Sequence, residues 1–61
     1  MTKELIFMDT SVQRIYQRMS EFASKTGRKI LGVRREKPIA RDGITYYKSV
    51  LSYYEEENNE A

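Results

Sequence analysis

The sequence predicts an α+β domain in the order β-α-β-β, one helix packed on a three-stranded sheet. Three observations carry this. Val12, Ile15, Tyr16, Met19, Phe22 and Ala23 recur at the 3.6-residue period of an amphipathic helix. Apolar and β-branched segments precede and follow that helix at residues 3–8, 29–35 and 44–54. Between the last two lies Asp42-Gly43, a strong two-residue hairpin signal. With 61 residues the chain sits near the lower limit for a self-sufficient core, so a single domain over residues 1–54 is expected. Residues 55–61, Glu-Glu-Glu-Asn-Asn-Glu-Ala, hold nothing to bury and read as an acidic flexible tail.

The first strand is short and bounded by charge, with Leu5-Ile6-Phe7-Met8 at its centre. Asp9-Thr10-Ser11 then marks a helix start, and Thr10 with Gln13 three residues on fits a capping box. Gln13, Arg14, Gln17, Arg18, Glu21, Ser24 and Lys25 populate the polar side of the helix. Gly27 fits the left-handed position just past its end, giving a helix over residues 11–26. Pro38 cannot donate to a ladder, so the second strand belongs at an edge or ends before it. The third strand is the longest and carries large residues on both faces. It is the natural centre, which gives the order 1-3-2: the outer strands are parallel to each other and antiparallel to the middle one.

Lys3-Glu4-Leu5-Ile6-Phe7-Met8-Asp9 resembles the opening strand of the small Cse-type sporulation proteins of spore-forming bacteria. Those run from basic and apolar residues through Leu-Phe-Asp into a helix. Thr45-Tyr46-Tyr47-Lys48-Ser49-Val50-Leu51-Ser52-Tyr53-Tyr54-Glu55 is similar to their closing strand, where a Tyr and a Ser-Ala-Leu-like step lead to a last Tyr before charge. The chain departs from that family in its basic hairpin and in Arg14 and Arg18 of the helix. The resemblance implies a small intracellular protein of Gram-positive or phage origin. It brings no catalytic or ligand residues with it.

Composition narrows the function. There is no Cys and no His, which removes thiol nucleophiles, imidazole bases, Cys- or His-bound metals and disulfides. No motif for a cofactor or metal is present, and enzymatic activity is not expected. The longest apolar run has four residues, so neither a membrane span nor a signal peptide is expected, and the location reads as cytoplasmic.

Charge is unevenly spread. Residues 25–48 hold eight cations against two acids, whereas residues 49–61 hold only acids. Arg28, Lys29, Arg34, Arg35, Lys37 and Arg41 surround a hairpin that also carries Tyr46 and Tyr47, with Tyr53 further along the same strand. These nine residues are the candidate binding surface. Two partners fit it. One helix covers only one face of a sheet, so apolar and aromatic surface stays open, which favours a homo-oligomer and a protein-binding module or regulator. The alternative is nucleic acid, since cations neutralise phosphates and tyrosine rings stack on unpaired bases.

Overall fold

A computed structural model of the chain describes residues 1–56, and within it the fold is one helix on an antiparallel sheet. The elements are β1 (Thr2–Asp9), α1 (Val12–Thr26), β2 (Lys29–Arg35), β3 (Ile39–Arg41) and β4 (Ile44–Tyr54). Four strands form where three are expected: β2 keeps the expected bounds, and Ile39–Arg41, after Pro38, adds the short strand β3. The order is β1-β4-β2, with β3 also pairing β4. The last strand is therefore central, and β1 and β2 both run antiparallel to it.

Turn chemistry sets the hairpin. Asp42 and Gly43 adopt φ of 53° and 75°, so both residues of the two-residue turn are left-handed, as a tight hairpin between Arg41 and Ile44 requires. The first helix residue, Val12, follows Ser11, whose side chain accepts the Arg14 N–H at 3.4 Å. Ser11 rather than Thr10 is thus the cap. Asp9 supports the same corner by accepting from the Ser11 N–H at 3.0 Å. Gly27 closes the helix at φ 64°, donating its N–H to Ala23.

The pleat decides which side of β4 the helix covers. Residues alternate across a strand, and 47, 49, 51 and 53 share the helix side. Ile15 and Met19 of α1 cluster there with Leu51 and Tyr53, flanked by Leu5, Phe7, Phe22, Ile30 and Tyr47. Phe22 meets Tyr53 edge-on with ring centres 5.0 Å apart. The core is small, and Ile15 and Leu51 are its only large side chains buried almost completely among the described residues.

Extra length in β4 leaves part of the sheet uncovered. Its 11 residues reach about 36 Å, whereas the 15-residue helix reaches about 22 Å. β1 pairs with β4 only from Tyr54 back to Tyr47, so β3 and the start of β4 project past it as a two-stranded arm.

Glu55, placed by the sequence reading in the tail, is held at the end of the sheet. Its N–H donates to the Met1 carbonyl at 2.8 Å, and its carboxylate lies 2.7 Å from Lys3 and 2.9 Å from Arg28. The rest of the expected tail from residue 57 onward lies outside the described residues.

Candidate binding surface

The face of the sheet away from the helix is built by the even-numbered residues of β1 and β4. Register places Ile6 opposite Val50 and Met8 opposite Lys48, while Arg34 lies opposite Val50 on the other side. Ile39 faces Tyr46, and Arg41 faces Ile44. Directly paired antiparallel residues point to the same side, so all of these share the open face.

Large apolar side chains remain uncovered there. Ile6 is 62% exposed, and Met8, Ile39 and Ile44 are each 46% exposed. Met8, Ile39, Arg41 and Tyr46 line one shallow groove, which joins the arm to β1. Val50 is the exception on this face, at 3% exposure. Arg34 explains its burial: the side chain crosses β4 to reach Glu4 of β1 at 3.7 Å and also meets Glu36 at 3.4 Å. A second open groove lies where the helix hands over to β2, lined by Arg28, Lys29, Leu31, Tyr54 and Glu56. Leu31 reaches it through a bulge, where the register shifts between Ile30 and Gly32.

The nine candidate residues do not form one surface. Lys29, Arg34, Arg41 and Tyr46 belong to the open face, and Lys37 sits exposed between β2 and β3. Arg35 lies on the helix side, where its guanidinium is hydrogen-bonded to the Tyr16 hydroxyl and stacks over that ring at 5.5 Å. Tyr47 is half-buried at the edge of the core. Tyr53 is not a surface residue at all: it is 8% exposed within the core, because its register puts it under α1. Arg28 covers it, 5.6 Å from the ring centre and ion-paired to Glu55.

Sequence reasoning missed Ile6, Met8, Ile39 and Ile44 as surface residues. The signal was present in the alternation of β1, where Leu5 and Phe7 face the helix and Ile6 and Met8 cannot.

Two carboxylates are tuned by local contacts. The Ser11 N–H bonded to Asp9 holds that carboxyl below the ordinary range, assisted by Arg14 at 3.6 Å and Arg18 at 3.3 Å. Its hydrogen bond with Lys3, then Arg28, does the same for Glu55. Glu55 in turn holds the Lys3 ammonium above its ordinary value. Both carboxylates fasten element ends, Asp9 at the turn into α1 and Glu55 at the end of β4.

No helix among the described residues is long and apolar enough to cross a membrane. No protein-family model, curated protein or solved structure matches the chain.

Proposed function

We propose that this chain is a non-enzymatic protein-binding module that self-associates and docks a protein partner on the open face of its sheet. The observation that carries the reading is the row of exposed Ile6, Met8, Ile39 and Ile44 on one face, continuous with the groove at Tyr46. Contiguous apolar surface of this kind marks an interaction site. Lys29, Arg34, Arg41 and Lys48 surround it against Glu4 and Glu36, which leaves it net positive, so the fitting partner is an apolar protein segment carrying acidic residues. The resemblance of the end strands to Cse-type sporulation proteins supports a regulator in a spore-forming bacterium or its phage, working in the cytoplasm.

Nucleic acid is the second reading, favoured by the same four cations. Two observations weigh against it. Arg34 is already held by Glu4 and Glu36, and Arg28 by Glu55. Arg35 is turned to the other side of the sheet, against Tyr16. Affinity capture from a sporulating host, comparing the natural chain with an Ile39→Asp/Ile44→Asp variant, tests the proposal. A protein retained by the first and lost by the second is expected. Binding to nucleic acid with a log–log salt slope of about −2 to −4, at about −0.9 per duplex phosphate, would replace it.

A further inference from the structure

The sheet has two outer edges, and they are built differently. Along β2 and β3 the edge carries a bulge at Leu31, a glycine at Gly32, an interruption at Pro38 and the cations Arg34, Arg35 and Lys37. A second offset of register separates the Arg35–Ser49 pair from the Ile39–Tyr46 pair. Bulges, proline and charge are the features that keep an edge strand from pairing with another chain. β1 has none of these in its apolar centre. Its eight residues pair with β4 without a break, and Leu5-Ile6-Phe7-Met8 contains no proline, glycine or charge.

Hydrogen bonding shows which groups β1 turns outward. Met1 and Glu55 exchange both backbone bonds, at 2.8 and 3.1 Å. In an antiparallel ladder such pairs alternate, so Lys3, Leu5, Phe7 and Asp9 bond to β4. Thr2, Glu4, Ile6 and Met8 therefore direct their N–H and C=O groups away from the sheet. The Glu36 N–H bond to the Lys48 carbonyl at 3.0 Å agrees, because it sends the even residues of β4 to β2. Among the described residues no turn, loop or side chain caps these four positions.

We infer that a second copy of this chain docks antiparallel along the outer edge of β1, with Ile6 facing its own counterpart on a two-fold axis. This rests on the self-association proposed above and names its geometry. A two-fold axis perpendicular to the sheet keeps both helices on one face, which allows only registers in which a residue meets itself or another of the same parity. With Ile6 on the axis, Leu5 lies opposite the second copy's Phe7 and Glu4 opposite its Met8. Lys3 lies opposite Asp9, matching charge at the two ends. Asp9 keeps its own arginines and Lys3 its Glu55, so the register rests on the Leu5–Phe7 match and not on a new ion pair. Sliding by two residues places Lys3 against Phe7 in one direction or Leu5 against Asp9 in the other, and both lose the apolar match. Leu5 and Phe7, half-buried in one copy, become covered from the side by the other.

Edge pairing also suits the charges better than stacking two open faces. That face carries Lys29, Arg34, Arg41 and Lys48 against Glu4 and Glu36, a net positive charge, and facing itself it sets like charge against like. Joined at β1, two copies instead merge their open faces into one wider surface with both Ile6 side chains at its centre.

The absence of cysteine in the natural sequence provides the test. Full-length chains bearing Ile6→Cys or Thr2→Cys are treated with mild oxidant and, in parallel, with a short bismaleimide. Directly opposed residues that exchange hydrogen bonds sit about 5.5 Å apart at Cα, within disulfide reach. Ile6→Cys should convert mostly to covalent dimer. Thr2→Cys should not, since the register separates the two Thr2 positions by eight residues, about 27 Å. Sedimentation equilibrium adds a second readout. Glu4→Pro, which removes an outward N–H while sparing the ladder to β4, should weaken dimerisation at least tenfold, whereas Glu4→Ala should leave it intact. A monomeric natural chain at high micromolar concentration would overturn both this inference and the self-association beneath it. A dimer that survives Glu4→Pro, or that crosslinks as well through Thr2→Cys as through Ile6→Cys, would overturn the edge geometry alone.

Discussion

Two leucines allow the packing argument to be tested with one chemical change. Leu51 is 2% exposed beneath α1, with Leu5 and Val33 as its partners on either side. Leu31 is 50% exposed at the bulge on the sheet edge. Leu→Ala removes the same atoms from both. At Leu51 the loss combines the transfer term with a cavity that the two flanking strands and the helix hold open, about 2–5 kcal/mol. At Leu31 roughly half the transfer term applies and no cavity forms, so about 1 kcal/mol or less is expected. A chain of this length has roughly 3–9 kcal/mol of stability in all. Leu51→Ala therefore removes about a fifth of it or more, equivalent to about 15–40 °C in Tm. Urea unfolding followed by circular dichroism, at one fixed chain concentration, measures both variants. Equal midpoints, or a larger loss at Leu31, would refute the placement of the helix on the odd-numbered face of β4.

Three further outcomes are expected. Asp9 and Glu55 are held below the ordinary carboxylate range in the folded chain, so the stability they add is present at neutral pH and is lost as pH falls through their folded pKa values; thermal melts across the acid range should show this, and Asp9→Asn should flatten the decline. Gly43→Ala should cost about 1 kcal/mol because φ is 75° there although the space is open, whereas Gly32→Ala, with open space and no left-handed backbone, should be neutral or slightly stabilising by the same thermal melts. Tm should rise with chain concentration, because association stabilises the folded state by mass action; scanning calorimetry over a hundredfold range checks it.

The features written in local chemistry were legible in the sequence. The helix stripe, the stop at Gly27, the Asp42-Gly43 turn and the central place of the last strand are each set by a few neighbouring residues. Pro38 constrains the edge by its missing N–H, and it lies between β2 and β3. The site was less legible because it depends on parity. The last strand has large side chains on both faces, and a shift of one residue exchanges Tyr46 and Tyr54 for Tyr47 and Tyr53. Only packing against Ile15 and Met19 decides the matter, and it takes Tyr53 into the core. The basic cluster dispersed for the same reason: Arg34 and Arg35 are adjacent in sequence and emerge on opposite sides of the sheet. Pairings such as Arg28 and Lys3 with Glu55 join distant segments, and nothing in local spacing announces them.

The open face follows from the layout of the described elements. A single helix of about 22 Å shields one side of the sheet and stops short of the arm. Among the described residues no second helix covers the other side, and its residues are not those of a simply solvated surface. Ile6 and Met8 alternate with Leu5 and Phe7, giving β1 two apolar faces where a one-sided sheet needs only one. Val50 shows what closing that side requires: the Arg34 side chain lies across β4 to Glu4, and one residue is buried. Ile39 and Ile44, beyond the reach of that ion pair, stay half open. A partner laid over the arm and β1 would do for them what Arg34 does for Val50. The proposed binding surface is thus the uncovered half of the fold's own apolar content, and burying it would both complete the domain and make the contact.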